Sequence, residues 1–220
     1  MRTLIQTIVL SGVLACASYP AFIGIGTSGG VANISPVAGT IGFQFSVNSA
    51  VNLTALGYWD HNSDGLFDSH EVGVWDSGGN LIASLTVPSG TAGTLLGGFR
   101  FVDLTTPVAL AVGNYVIGGF TLAGTEAVAR DRFLVEPTLT LAPQISFLED
   151  RSVLGNTLAL PTSSSPFLNA AFFGPNLQID VPGPPNGEIP EPSTVVSMAM
   201  GLALVVLGAY RRGSRPAKGA

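Results

Sequence analysis

The chain has 220 residues, which is enough for one sizeable domain or two small ones. Residues 18–189 hold 13 acidic and four basic residues, and the only lysine, Lys218, lies outside them. This surplus of negative charge repels a phosphate backbone, so the composition argues against a nucleic-acid-binding protein.

The N-terminus, "MRTLIQTIVLSGVLACAS", has the pattern of an export signal. One arginine precedes an apolar run that is too short to span a membrane, and small residues follow it. We therefore predict a signal peptide over residues 1–17, with Ala15 and Ala17 forming the cleavage site. A lipobox in which Cys16 is acylated is the alternative. Cys16 is the only cysteine, and in the first reading it leaves with the signal peptide.

The middle of the chain alternates apolar and polar residues with a period of two. The alternating apolar residues are Ile41, Phe43, Phe45 and Val47, then Val51, Leu53 and Ala55, then Leu81, Ala83, Leu85 and Val87. Turn-forming stretches stand between these segments, such as "DSGGN" at 76–80 and "PSGTAG" at 88–93. Short alternating strands with frequent turns predict an all-β fold, an antiparallel β-sandwich of jelly-roll or immunoglobulin-like type, over residues 18–181.

Two further segments bear on the predicted sheets. "LGGFRFVDL" places Leu96, Gly98, Arg100 and Val102 on one side of a strand, and Phe99 and Phe101 on the other. "GTEAVARDRFLV", which begins at Gly124, fits a short helix or an edge strand. Both readings of the second segment stay open.

The stretch "DHNSDGLFDSHE", residues 60–71, has the residue order of a calcium-binding loop. Oxygen-bearing side chains fall at the alternating positions of such a loop, and a glutamate closes it. The predicted calcium ligands are Asp60, Asn62, Asp64, the backbone carbonyl of Leu66, Asp68 and Glu71. Calcium takes six to eight oxygen ligands and needs no flanking helices, so the loop could act between two strands.

A surface turn is the alternative reading of this loop. Asp, Asn and Gly are also the residues that turns use, and Gly65 would supply a positive φ in a hairpin between strands 51–59 and 72–75. Zinc fits poorly, because His61 and His70 give only two ligands and a zinc site needs at least three. We expect His70 to act as a cap or to pack beside Trp75.

Two tryptophans and several acidic residues are further candidates for binding or catalysis. Trp59 and Trp75 could stack on sugar rings, although core packing is the commoner use of tryptophan. The carboxylates of the loop are too clustered for the acid and base of a glycosidase, and Glu149 with Asp150 is an adjacent pair on opposite faces of a strand or in a loop. The sequence therefore predicts no enzyme.

A proline- and glycine-rich linker at 182–193 follows the predicted domain. It contains the tripeptide Pro190, Glu191 and Pro192. An extended linker of this composition would hold the domain away from a membrane.

The last segments predict a membrane anchor. Residues 195–210 carry no charge, and as a helix these 16 residues would be about 24 Å long, near the lower limit for a bilayer core. We predict a transmembrane helix at 194–210 and a basic tail at 211–220, where Arg211 and Arg212 stay in the cytoplasm.

The order of tripeptide, short span and arginine cluster resembles the PEP-CTERM sorting signal of Gram-negative bacteria that make exopolysaccharide. The resemblance covers about the last 30 residues. It implies that an exosortase, a membrane-bound cysteine transpeptidase-like enzyme, recognises Pro190, Glu191 and Pro192 and processes the chain there. These residues are then features of a substrate and catalyse nothing.

The body of the chain is similar to that of PEP-CTERM proteins in "LGYWDHNSDGLFDSHEVGVWDSGGNLIASLTVPSG", "PVALAVGNYVIGG" and "FFGPNLQI". The resemblance implies a β-sandwich without assigned enzymatic activity. We expect a protein exported across the inner membrane, anchored by its C-terminal helix until it is processed, and then placed at the cell surface or outside the cell. Its expected role is in an exopolysaccharide or biofilm matrix, and a carbohydrate-binding module is the alternative.

Overall fold

The computed structural model describes residues 22–125, 130–135, 137–164 and 172–182. Within these ranges the regular structure is a set of strands and one turn of 3-10 helix, His61–Ser63. The strands are β1 Phe22–Ile23, β2 Ile25–Ser28, β3 Val31–Asn33, β4 Gly39–Val47, β5 Val51–Trp59, β6 His70–Asp76, β7 Leu81–Val87, β8 Thr94–Leu96, β9 Phe99–Leu110, β10 Gly113–Thr121, β11 Phe133–Val135, β12 Thr138–Leu141, β13 Ile145–Leu154 and β14 Pro175–Asp180. The prediction of an all-β fold is confirmed for this part of the chain.

Two antiparallel sheets of five strands form the body of the fold. The first sheet has the order β1-β14-β5-β9-β8, and the second has the order β13-β4-β10-β6-β7. Two small sheets pair β11 with β3 and β12 with β2, also antiparallel. Sequence neighbours often lie in different sheets, so the chain passes repeatedly from one sheet to the other.

The two large sheets share one apolar core. Phe43 of β4 and Ile117 of β10 come from the second sheet, while Leu53 of β5 and Leu177 of β14 come from the first, and all four are fully buried in one cluster. The ring of Phe43 lies 5.1 Å from that of Phe173, just before β14. Two sheets that bury their inner faces against each other have the layering of a β-sandwich.

Most of the predicted alternation corresponds to observed strands. The apolar residues predicted at 41–47 and 51–55 are all buried on β4 and β5. On β7, Ala83 and Val87 are buried but Leu81 is half exposed, because β7 is the last strand of its sheet and Leu81 begins it.

The segment "LGGFRFVDL" is two strands, and the prediction that Leu96 shares a face with Arg100 is wrong. The chain reverses at Gly97 and Gly98, whose φ angles are 59° and 83°, and Leu96 pairs with Phe99. Two successive residues with positive φ make the tight hairpin turn that suits the twist of paired strands. The reversal separates β8 from β9.

The predicted turn at 76–80 joins β6 to β7. The carboxylate of Asp76 accepts hydrogen bonds from the N–H groups of Gly78 (2.8 Å) and Asn80 (2.9 Å). The side-chain amide of Asn80 also donates to it, and these bonds lower the pKa of the Asp76 carboxyl below its usual value. The turn is thus fixed by its own first residue.

The 60–69 segment is not a hairpin connection. β5 belongs to the first sheet and β6 to the second, so the segment crosses from one sheet to the other at an end of the sandwich. We call residues 60–69 the crossover loop. This location allows polar side chains from several strands to meet around it.

The predicted signal peptide 1–17, the span 194–210 and the basic tail 211–220 lie outside the described residues, as do the sorting residues Pro190, Glu191 and Pro192. Within the described part of the chain, no helix has the length and apolar character needed to cross a membrane.

Candidate functional site: a polar cluster and cavity at the crossover loop

Asp60, the first predicted calcium ligand, is buried and paired with an arginine. It follows β5 directly and is only 2% exposed. Its carboxylate accepts the N–H of Gly65 with both oxygens (3.1 Å each) and the Nε–H of Arg100 at 2.7 Å. Gly65 has a φ of 115°, so its predicted positive φ is confirmed. Asp60 therefore closes the turn of the loop from inside the protein.

Arg100 extends from β9 beneath the crossover loop and is itself buried, at 7% exposure. Besides its bond to Asp60, it donates to the carbonyl oxygens of Ser63 (3.2 Å) and Gly93 (3.3 Å). The guanidinium group thus joins the loop to the segment before β8. Two charges buried this well are favourable only because each satisfies the other and the remaining hydrogen bonds are made.

Asp131 organises the second half of the loop. Its carboxylate accepts the backbone N–H groups of Phe67 (2.9 Å) and Asp68 (2.7 Å), and Nε2 of His70 lies 2.9 Å from it. Asp131 is 8% exposed. One carboxylate therefore contacts three nitrogens, two of them backbone donors, of a segment that lies more than 60 positions earlier in the chain.

His70 begins β6 and is almost fully buried. Its Nδ1 lies 2.8 Å from the carbonyl oxygen of Phe120, and its ring stacks on Tyr58 at 3.6 Å between centroids with 4° between the planes. Both ring nitrogens face acceptors, so both contacts are hydrogen bonds when the ring carries two protons. The expectation that His70 packs beside Trp75 is wrong, because residues five apart on a strand point to opposite faces.

Tyr58, which stacks on His70, is a large and fully buried side chain. Burial raises the pKa of the Tyr58 phenol above its ordinary value of 10.0, and the nearby carboxylates of Asp131 and Asp68 add to that rise. The phenol therefore stays neutral beside the contact between His70 and Asp131.

The other predicted calcium ligands do not converge with Asp60. The carbonyl oxygen of Leu66 accepts a hydrogen bond from the N–H of Gly90 at 2.7 Å. The carboxylate of Asp68 accepts one from Nη1 of Arg130 at 2.9 Å. The remaining three, Asn62, Asp64 and Glu71, are exposed, and Glu71 lies on β6 opposite Thr86.

The loop as described does not have the donor arrangement of a metal site. Within the described ranges, no group of three or more His, Cys, Asp or Glu side chains is placed to hold a metal ion. Calcium would require Asp60 and Asp68 to give up Arg100 and Arg130, so calcium binding stays a prediction. The zinc alternative has no support from His70, which is already bonded on both nitrogens.

The tryptophans and the paired acids have structural surroundings. Trp75 is 5% exposed, so its ring is not accessible to a sugar, whereas Trp59 is partly buried and lies 5.1 Å from the ring of His61. Glu149 and Asp150 lie on β13, where Glu149 pairs with Arg151 and Asp150 is buried.

A cavity of about 440 Å³ lies against the outer side of the crossover loop. Its lining includes His61, Asn62, Asp64, Phe67, Arg130 and Arg132. The ring of Phe67 is 61% exposed, and the guanidinium carbon of Arg130 lies 5.8 Å from its centroid. The volume falls within the range of small-molecule pockets, which is about 300–1,000 Å³.

Reasoning from sequence missed Arg100, Arg130 and Asp131 as partners of the loop. Arg100 is 40 positions from Asp60 and Asp131 is 61 positions from His70, so no local spacing joins them. One signal was available for Arg100: the domain has only four basic residues, and a buried position on an alternating strand is an unusual place for arginine.

Residues 28–169 match a protein family described as domain of unknown function (DUF4082). The chain belongs to the DUF4082 family. The DUF4082 match contains the whole crossover loop together with Arg100 and Asp131, while β1 and β14 lie outside it. No curated protein and no solved structure matches the chain.

Proposed function

We propose that this DUF4082 protein is an exported, non-enzymatic surface protein that is sorted through its C-terminal tail and associates with an exopolysaccharide or biofilm matrix. The observation that carries the proposal is the order of Pro190-Glu191-Pro192, an uncharged segment of 16 residues and Arg211-Arg212. Each part has a separate physical role: recognition by the processing enzyme, insertion into the bilayer, and retention of the positive end in the cytoplasm.

The end of the fold suits a domain that is held at its C-terminus. β14 ends at Asp180, a few residues before the linker, and it is hydrogen-bonded to β1 on one side and β5 on the other. A pull on the tail would therefore act on an interior strand rather than on an edge strand. This arrangement supports presentation of the sandwich by the tail.

Export begins with removal of residues 1–17 after Ala17 in this proposal. The helix at 194–210 then holds the chain in the inner membrane until an exosortase processes it, and the sandwich, of jelly-roll or immunoglobulin-like type, reaches the cell surface or the extracellular space.

The proposal is tested by substitutions in the tripeptide. Glu191→Ala or Pro192→Ala should leave a membrane-held chain with its span attached, visible as a larger form on a gel. Glu188→Ala, in the same linker, should leave processing unchanged. Equal sizes of the wild-type chain in hosts with and without the sorting enzyme would overturn the proposal.

A further inference from the structure

Phe67 is an exposed aromatic residue whose backbone is held by hydrogen bonds on both sides. Its backbone N–H donates to Asp131 at 2.9 Å, and the guanidinium group of Arg130 lies 5.8 Å from the centroid of its ring. Its neighbour Leu66 is buried and bridges to Gly90, so the chain is fixed on that side too. A ring that is 61% exposed on so constrained a backbone is available as an apolar platform at the cavity.

The polar groups around this platform suit hydroxyl groups. Asn62 and Asp64 line the same cavity and are exposed. An amide both donates and accepts hydrogen bonds and a carboxylate accepts them, so together they can satisfy neighbouring hydroxyls of a sugar. Pockets that combine an apolar wall with a few convergent polar groups are the usual form of small-ligand sites.

The charges around the cavity favour a neutral ligand. Arg130 is already paired with Asp68 at 2.9 Å, and Arg132 has an interaction of its own. Asp64 leaves a carboxylate at the cavity, and residues 18–189 carry nine more acidic than basic residues. An acidic polysaccharide would be repelled from such a surface.

We infer that the cavity between the crossover loop and residues 130–132 binds a neutral hexose unit of a polysaccharide, with Phe67 against the apolar face of the sugar and Asn62 and Asp64 on its hydroxyls. The inference rests on the proposed function, because it names the matrix component that the surface protein would hold. It assigns the sugar contact to Phe67, which was not among the predicted stacking residues, in place of the buried Trp75.

The test is affinity electrophoresis of the full chain, in mild detergent, through gels containing neutral polysaccharides. The probes are a β-glucan, dextran and a galactomannan, with alginate as the acidic comparison. At least one neutral glycan should retard the chain, and alginate should not. Phe67→Ala and Asp64→Ala should each weaken the apparent affinity at least tenfold, while Phe67→Tyr keeps binding.

Matched controls come from exposed positions elsewhere in the domain. Val112→Ala, at a residue that is 69% exposed, and Asp103→Ala, at another exposed carboxylate, should bind like the wild type. The melting temperature of every variant checks that the fold is kept. No retardation by any neutral probe, stronger retardation by alginate, or full binding by Phe67→Ala in a folded chain would overturn the inference.

The two proposals fail separately in these experiments. A chain that is processed at its tail but is retarded by no neutral glycan refutes the sugar site and leaves the sorting proposal intact. A chain that binds a neutral glycan through Phe67, yet has the same size with and without the sorting enzyme, refutes the sorting proposal only. Phe67→Ala should be processed in the cell like the wild type.

Discussion

The carboxylate of Asp131 lies 2.9 Å from Nε2 of His70, although 61 positions separate the two residues. The same carboxylate holds the backbone of Phe67 and Asp68, so it fixes both the end of the crossover loop and the start of β6. Asp131 also lines the cavity, and its partner His70 stacks on Tyr58.

Replacement of Asp131 should therefore destabilise the domain and release the loop. Asp131→Ala leaves buried His70 and two backbone donors without their acceptor, and the free energy of unfolding should fall by about 3–5 kcal/mol. Amide exchange at Phe67 and Asp68 should accelerate most. Asp103→Ala, at an exposed carboxylate, is the control, and equal effects of the two substitutions would contradict the assigned role.

The crossover loop offers a matched pair of aspartates, one buried and one exposed. Asp60→Ala should lower the free energy of unfolding by about 3–5 kcal/mol, because it leaves the charge of Arg100 buried and unpaired. Asp64→Ala should change it by no more than about 0.5 kcal/mol. Urea unfolding measures both. Similar values for Asp60 and Asp64 would mean that the ion pair with Arg100 contributes little.

Calcium can be tested on the same loop. Bound calcium would have to displace the arginines that lie 2.7 and 2.9 Å from Asp60 and Asp68, so the same melting curve in chelator and in millimolar calcium would refute the predicted site. An ion that binds only the folded chain, at 100-fold excess over its Kd, would instead add about 2.7 kcal/mol to the free energy of unfolding. At roughly 2–4 °C per kcal/mol, the melting temperature would rise by several degrees. A rise of that size that Asp64→Ala abolishes would establish the calcium site.

The buried phenol of Tyr58 predicts a loss of stability in alkali. Its pKa is raised in the folded chain, so above the ordinary value of 10.0 the unfolded chain releases the proton while the folded chain keeps it. Stability from this group is complete below pH 10 and falls as the pH rises further. Above about pH 10, the free energy of unfolding of Tyr58→Phe should fall less steeply with pH than that of the wild type. Urea unfolding at each pH measures this free energy. The same dependence on pH in the two proteins would refute the prediction.

The strands were predictable because burial imposes the period of two directly on the sequence. On β4, the alternation of Ile41, Phe43, Phe45 and Val47 marks the residues that enter the core. The turn at 76–80 was equally visible, because Asp76 and Asn80 form it with local hydrogen bonds.

The site could not be predicted in the same way, because its contacts join distant parts of the chain. The acidic pattern at 60–71 suggested one centre for all its oxygens, but Asp60 turns inward to Arg100 and Asp68 turns to Arg130. These partners depend on which sheet each strand joins. No local sequence pattern indicates that β5 and β6 lie in different sheets.

The sorting tail is the central claim, and the mass of the mature chain tests it most directly. Intact-mass and C-terminal peptide analysis of the protein released from, or exposed on, cells that contain the sorting enzyme should find a chain that ends at or near Pro190–Pro192. Peptides from 194–220 should be missing from that form and present in the chain from cells that lack the enzyme. A surface chain that still ends at Ala220 would contradict the account.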